Sequence, residues 1–385
     1  MTCIIGGIFH PIEVFMQTET TRPAASRQLW ADWIRNIGIL LVILGHVSGI
    51  VVQRFQDFSI GDWNVGNVYN IVARSCVPLL FMVSGALLLP HQESIGNFYN
   101  KRFRKVIFPF LFWSVFYIVL REWFTGYDFI NAVKAIIKVI IMRPAEYHLW
   151  FMYELFGIYL FTPVLRVFVN NTDDKHIWYF VAIWFLFGPV QRFVELLLGF
   201  QLIFDLGYLT GYVGYFVLGY ALTRIRITKP MLWGAVAVYL LAGFYTGYTT
   251  YVNSIKIDRL VDYFQYLLGL NIVLLATALY LLLKAWGEKI FSTPHPRLEK
   301  IAISLTGASF GMYLVHVFWL TLLVDPQKYA HLFPSSVVQF FLTISISPVN
   351  SPLYMIPVTT IVVFILSWVT IAILQKIPII RSLVA

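Results

Sequence analysis

The stretch WADWIRNIGILLVILGHVSGIV, residues 30–51, opens with charged residues and then becomes almost wholly apolar. An apolar run of this length can cross the hydrocarbon core of a bilayer, which is about 30 Å thick, as a helix. A single histidine, His46, lies deep within the run, and an ionisable side chain there is costly unless it faces protein or water. The stretch therefore predicts a membrane helix whose polar face is turned into a bundle.

The rest of the chain has the same character. Of its 385 residues, 59% are hydrophobic and only 12% are charged, and the mean hydropathy is +0.75. Such a composition excludes a single water-soluble core and predicts an all-α integral membrane protein of about ten transmembrane helices around a central cavity. The predicted spans are residues 36–53, 68–89, 106–123, 149–168, 178–198, 207–222, 231–251, 263–283, 304–324 and 353–374.

The distribution of Lys and Arg predicts the orientation of these spans, because positively charged loops are retained in the cytoplasm. With Arg35 set aside, an inside N-terminus puts 17 of the 28 basic residues on the inner side and 10 on the outer side. We therefore expect both termini inside. The net charge of +9 is then mainly a topological signal, and no hydrophilic surface interleaves basic and aromatic residues as nucleic-acid binders do.

One membrane domain, residues 29–385, is expected to follow a cytoplasmic extension, residues 1–28, to which the sequence assigns no role. The extension lacks the basic start and small-residue cleavage site of a signal peptide. The two cysteines, Cys3 and Cys76, fall on opposite sides of the bilayer in this topology, so neither a disulfide nor a cysteine metal site is expected.

The first helix has one polar stripe. Arg35 and His46 are eleven residues apart, which is about three helical turns at roughly 3.6 residues per turn, so they share a face with Ile39 and Val42. Asp32 lies three residues before Arg35, within reach of an ion pair. Two simpler interpretations stay open: a structural histidine bonded to another helix, and an interfacial anchor with its counter-ion.

Four cations, Lys101, Arg102, Arg104 and Lys105, crowd the predicted cytoplasmic entrance of the third span. They suit a phosphorylated ligand, although retention of positive charge inside explains them equally well. In the second span, Ser84-Gly85 allows helices to approach closely or a substrate to pass. Arg74 in the outer half of that span needs a partner or a wet cavity.

Together these residues resemble the acyltransferase-3 family of membrane acyltransferases. Its first-helix Arg and His match Arg35 and His46, preceded by Trp30 and Asp32, and its second-helix pattern matches residues 77–81 with Ser84-Gly85. Its cytoplasmic Arg-x-x-Arg corresponds to Arg102 and Lys105, with lysine in place of the second arginine. Further matches lie at 147–166, 214–220 and 309–316, so the resemblance spans about residues 27–374 and looks closest to the branch of the enterobacterial common antigen O-acetyltransferase.

The resemblance implies an O-acetyltransferase of the bacterial inner membrane that takes acetyl-CoA from the cytoplasm and acylates a hydroxyl of an envelope glycan or lipid-linked oligosaccharide. In that scheme Arg102, Arg104, Lys105 and Ser84 bind the donor, with Arg35 and Asp32 at the mouth. His46 is the expected general base, since an imidazole titrates near neutral pH. No metal is expected.

Four residues are candidates for the outer, acceptor side: Arg74, His148, Trp150 and Glu154. Trp150 offers an aromatic face to a sugar, or else belongs to an interfacial aromatic belt. Glu154 either orients His46 or neutralises Arg74. We interpret His316, in the ninth span, as structural.

Two other functions fit part of the pattern. A transporter or flippase also has buried His, Arg and Glu, but the two halves of the chain show no matching pair of broken helices. A structural subunit of a glycan-processing machine leaves the alignment of Arg35 with His46 unexplained.

Overall fold

The computed structural model describes residues 27–121, 129–203, 211–325, 327–328, 334–343, 351–378 and 380–384. Within these ranges the chain is helical and has no β-strand. The predicted extension, residues 1–28, lies almost entirely outside them. The α-helices, in chain order, are α1 (Leu29–Gln53), α2 (Ile60–Ala73), α3 (Cys76–Leu88), α4 (Ile95–Arg102), α5 (Phe108–Arg121), α6 (Phe129–Met142), α7 (Trp150–Asn170), α8 (Asp174–Phe185), α9 (Gln191–Leu198), α10 (Val213–Ala221), α11 (Lys229–Ile257), α12 (Leu270–Ile290), α13 (Pro296–Val324), α14 (Ser335–Thr343) and α15 (Pro352–Leu374).

Nine helical segments of the described chain are long and apolar enough to cross a membrane. They are Leu29–Gln53, Ile60–Leu88, Ile95–Arg121, Tyr147–Asn170, Asp174–Leu198, Lys229–Ile257, Tyr263–Ile290, Pro296–Val324 and Pro352–Leu374. Each overlaps one of the predicted spans, which confirms an all-helical, multi-pass membrane fold. The remaining predicted span, 207–222, falls partly outside the described residues and is represented by the nine residues of α10. The count of ten therefore stays a prediction.

Helices α1 and α13 lie at the centre of the bundle. In each, more than half of the membrane-spanning window is buried, 56% and 61%, against 17% for α11. Helix α1 contacts α2, α3, α12, α13 and α15. Polar side chains of α1 therefore face protein or cavity rather than lipid, as the cost of an ionisable group in hydrocarbon requires.

Helices α3 and α10 cross with their backbones in direct contact. A Cβ atom added to Gly85 would lie 1.7 Å from the carbonyl oxygen of Phe216, and one added to Gly219 would lie 2.0 Å from that of Met82. Only glycine fits at both positions, so the Ser84-Gly85 pair serves close helix approach. This contact fixes the part of α3 that carries Ser84.

The second span is broken in the middle. Helix α2 ends at Ala73 and α3 begins at Cys76, which leaves Arg74 at the junction. A backbone break at this depth is tolerated where it is surrounded by protein or lines a cavity. The break points to a site around Arg74.

Candidate functional site

Two cavities lie along α1, one at each end. The basic cavity, about 720 Å³, is lined by Arg35 and Ile39 near the start of the helix. The histidine cavity, about 600 Å³, is lined by Val42 and His46 and by residues toward the end of the helix. The stripe predicted on this helix thus continues from one cavity into the other.

The basic cavity brings together the residues predicted to bind the donor. It is lined by Arg35, Ser84, Arg102, Arg104 and Lys105. These side chains come from α1, α3, the last residue of α4 and the segment 103–107 between α4 and α5. The family's sequence pattern is what predicted that they act together. Lys101 is directed elsewhere, because its Nζ lies 2.7 Å from Oε2 of Glu93.

Arg102 is held by aromatic rings rather than by a carboxylate. Its guanidinium carbon lies 5.0 Å from the ring centre of Phe98 and 5.8 Å from that of Tyr159. Its Nε is buried and has no hydrogen-bond partner among the described residues. Such stacking orients the guanidinium while leaving N–H donors free for a bound oxyanion.

The expected ion pair between Asp32 and Arg35 was wrong. The buried carboxylate of Asp32 accepts a hydrogen bond from Nε of Arg27, 2.5 Å away, and no described acidic group pairs with Arg35. The i,i+3 spacing permits a pair but does not force one, since Arg27 reaches the carboxylate from just before the helix while Arg35 lines the cavity. Asp32 is not among the residues that line the basic cavity.

A segment after α15 also lines the basic cavity, and no sequence pattern predicted it. Pro378, Arg381 and Ser382 contribute to the wall. Val384 anchors the segment, since it is fully buried and its carbonyl oxygen lies 2.4 Å from where a Cβ of Gly311 would be. Arg381 is the fifth cation of this wall, in addition to Arg35, Arg102, Arg104 and Lys105.

Three side chains belong to the walls of both cavities: Leu80, Phe151 and Tyr313. The rings of Phe151 and Tyr313 are 5.4 Å apart. The hydroxyl of Tyr313 donates a hydrogen bond to the carbonyl oxygen of His148, which ties this wall to the histidine cavity. We call these three residues the neck, because they form the wall that the two cavities share.

Three histidines cluster beside the neck. The His46 ring stacks on that of His316 with centres 5.3 Å apart, and the His148 ring meets His316 edge-on at 5.1 Å. His148 and His316 are buried, whereas His46 is partly accessible. Among the described residues no group of His, Cys, Asp or Glu has the arrangement of a metal site. Of the three imidazoles, only that of His46 has accessible surface in the histidine cavity.

The contacts of His316 suit a positioning role. Its Nδ1 lies 2.6 Å from the carbonyl oxygen of Tyr313, so this nitrogen carries the proton and donates. Its ring lies flat against His46 at an interplanar angle of 30°. The sequence singled out His316 but predicted a structural role for it. Its stacking on His46 could not be predicted, because it depends on the packing of α13 against α1.

Arg74 has only neutral partners among the described residues. Its Nε donates to Oδ1 of Asn70 at 3.0 Å and its Nη2 to Oε1 of Gln265 at 2.6 Å. The amide of Gln265 is itself held in place, because its Nε2 donates a hydrogen bond to Oδ1 of Asn67 at 3.2 Å. Asn67 is also neutral. The guanidinium is therefore firmly oriented, and no salt bridge neutralises its charge, which Asp262 balances only from longer range.

Of the three remaining acceptor-side candidates, two line the histidine cavity and one does not. His148 and Trp150 line the histidine cavity together with His46 and Arg74. Glu154 is exposed on α7, lines none of the cavities described here and forms no ion pair with Arg74. Neither contact predicted for Glu154, with His46 or with Arg74, is present among the described residues; Glu154 instead interacts electrostatically with Tyr212.

The fold and the two adjoining cavities define a multi-pass membrane protein in which a cation-lined cavity lies next to one lined by a partly accessible imidazole. The chain belongs to the acyltransferase-3 family, described as an acyltransferase domain, which it matches over residues 28–372. Comparison with curated proteins and with solved structures found no match. Family membership supports a membrane acyltransferase activity.

Proposed function

We propose that this protein is an O-acetyltransferase that moves an acetyl group from cytoplasmic acetyl-CoA to a hydroxyl of an envelope or lipid-linked glycan on the other side of a bacterial inner membrane. The observation that carries the proposal is the pair of cavities that meet at the neck, one lined by cations and the other by His46. Such an arrangement lets donor and acceptor enter from opposite faces of the membrane.

The donor fits the basic cavity by charge and shape. Arg35, Arg102, Arg104, Lys105 and Arg381 offer guanidinium and ammonium donors to the phosphates of CoA. The replacement of the family's second arginine by Lys105 keeps the charge but offers no bidentate fork. Between these cations and the neck, the apolar side chains of Ile39 and Leu155 line a path for the pantetheine arm.

His46 acts as the general base. Its imidazole takes the proton of the acceptor hydroxyl as the oxygen attacks the thioester carbonyl carbon. The C–S bond then breaks, and the proton on His46 passes to the departing CoA thiolate. His316 holds the His46 ring by stacking, so the two side chains have different roles, base and positioning residue.

The acceptor enters the histidine cavity. Trp150 supplies an aromatic face of the kind that stacks on sugar rings, and Arg74 supplies an oriented guanidinium. His148 contributes through its backbone as well as its ring, because its carbonyl oxygen receives the Tyr313 hydroxyl. The acceptor hydroxyl is thereby brought toward His46 from the side opposite the donor.

The test is the variant His46→Ala in membranes. We expect glycan acetylation to fall by about 10²–10⁴-fold, the usual contribution of general-base catalysis. Binding of CoA to the purified protein should be unchanged, because His46 does not line the basic cavity.

The matched control is His176→Ala, at an exposed histidine of α8 far from either cavity, which should acetylate normally. Normal turnover in His46→Ala would refute the base assignment. Failure of the wild-type protein to bind CoA would refute the donor assignment.

A further inference from the structure

A third cavity of about 520 Å³ adjoins the histidine cavity. The two share Arg74, Trp150 and Leu267, so their walls are continuous at these residues. Beyond the shared wall, six of the thirteen lining residues of the third cavity are aromatic, with Tyr212, Tyr263 and Tyr266 among them. It lies on the acceptor side of the neck and none of its residues lines the basic cavity.

Two arginines of this cavity form no salt bridge among the described residues, although Asp262 acts on Arg74 and Glu195 on Arg192 from longer range. Arg74 is hydrogen-bonded to Asn70 and Gln265 only, and Arg192 lies over the ring of Tyr266 with its guanidinium carbon 4.9 Å from the ring centre. Among the described residues no carboxylate lies within 4.0 Å of a nitrogen of either side chain, since neither forms a salt bridge. A guanidinium held by amides or by an aromatic face keeps its capacity to bind an oxyanion.

The balance of charge in the cavity is positive. Of its described lining residues, Arg74 and Arg192 are cationic and Asp262 is anionic, so two positive charges less one negative charge leave a net charge of +1. Arg74 lies within a membrane span, where a cation is costly, and Asp262 offsets its charge only from beyond salt-bridge distance. A ligand that brings a negative charge next to Arg74 offsets that cost, whereas a neutral ligand does not.

We propose that this cavity binds an acidic sugar residue of the acceptor, with its carboxylate between Arg74 and Arg192 and its ring against the tyrosines and Trp150. The inference rests on the proposed function and adds the substrate class: an anionic carbohydrate rather than a neutral one. Aromatic faces bind the apolar face of a sugar ring, and the two guanidiniums select for the negative charge. The acidic residue sits beside the histidine cavity, so the hydroxyl that is acetylated lies on it or on a neighbouring sugar.

The test uses ligand-detected saturation-transfer NMR on the full chain in lipid nanodiscs, with glucuronate, glucose and inorganic phosphate as probes. Glucuronate should bind with the highest affinity, because it alone combines the ring with the charge. Arg192→Gln should weaken glucuronate binding about ten-fold, the equivalent of one charge-assisted hydrogen bond. Arg192→Lys should retain most of the affinity, and Arg259→Gln, at an exposed arginine outside the cavity, should change nothing.

Equal binding of glucose and glucuronate would overturn the selection for charge. Phosphate binding as tightly as glucuronate would overturn the role of the sugar ring. Loss of affinity in Arg259→Gln to the same extent as in Arg192→Gln would also overturn the proposal, because it would reflect general surface charge. CoA binding, measured on the same samples, reports separately on the donor site and so on the proposed function.

Discussion

Arg381 provides a quantitative test of the donor site, because its segment was not expected to take part. The side chain is exposed and lines the basic cavity with Arg102, which is half-buried against Phe98 and Tyr159. A guanidinium and a CoA phosphate, taken as unit charges about 5 Å apart, attract each other by roughly 1–3 kcal/mol at effective dielectric constants between about 80 and 20. Exposure puts Arg381 near the lower limit, so Arg381→Ala should raise the Kd for CoA about five-fold.

Arg102 should contribute more than Arg381. Its Nε is buried and unpartnered among the described residues, so loss of a charge-assisted bond there should cost about 1.5–3 kcal/mol, or roughly 10–150-fold in Kd. The two effects also differ in salt dependence. Raising ionic strength shortens the Debye length to about 3 Å at 1 M salt and should remove most of the contribution of Arg381.

The assay is equilibrium binding of CoA to purified protein in nanodiscs. Lys376→Ala is the matched control, because Lys376 is exposed in the same segment but does not line the cavity, and it should bind CoA normally. Arg381→Lys should bind almost as the wild type does. An unchanged Kd in Arg381→Ala, together with a raised Kd in Arg102→Ala, would show that the segment after α15 does not contact the donor.

Two further substitutions test the helix packing and the neck. Gly85→Ala places a Cβ 1.7 Å from the Phe216 carbonyl oxygen, so overpacking should destabilise the protein by at least about 1–3 kcal/mol and lower its thermal midpoint in detergent. Gly157→Ala is the control and should leave the midpoint unchanged, because nothing lies within 4 Å of its Cβ. Equal midpoints for the two variants would contradict the close crossing of α3 and α10. Leu80→Trp fills the neck and should abolish acetyl transfer; because Leu80 also lines the basic cavity, CoA binding is measured on the same variant and should fall far less than transfer. Normal transfer would show that the acyl arm takes another route.

Hydropathy predicted the spans well because a helix in hydrocarbon must be apolar over a fixed length and must satisfy its backbone internally. The described helices extend past several predicted ends, as at Leu29 and Ile290, because interfacial polar residues continue a helix without adding hydropathy. The break at Arg74 was not predicted, since hydropathy averages over it. Helix α6 was also missed, because its 14 residues are too few for a span.

The site was predicted in part. The stripe from Arg35 to His46 follows from helical geometry alone, and the grouping of Arg102 with Ser84 came from family resemblance. Contacts between distant segments were beyond reach, which is why the stacking of His316 on His46 and the fold-back of Arg381 were missed. Glu154 was misassigned for a related reason, because sequence shows the depth of a residue more readily than the direction in which it points.

The number of crossings can be argued from the two ends of the chain. Arg35, near the start of α1, and Arg381, after α15, line the same cavity, and a chain that returns to its starting end has crossed an even number of times. Nine candidate spans are an odd number. We predict another crossing at the stretch around α10, because Tyr212 packs against Trp150 beside the histidine cavity, whereas Arg224 bonds to Asp174 at the start of α8.

Residues 212–224 would rise about 18 Å if they were fully helical, which is shorter than a full span, so we predict that the segment around α10 is a short, buried crossing. The parity favours the predicted ten. It follows that Ser94→Cys and Thr228→Cys, made in a chain whose native cysteines are replaced by serine, should be labelled from the same face of the membrane. Labelling from opposite faces would mean that α10 does not cross, and the proposed direction of acetyl transfer would then need revision.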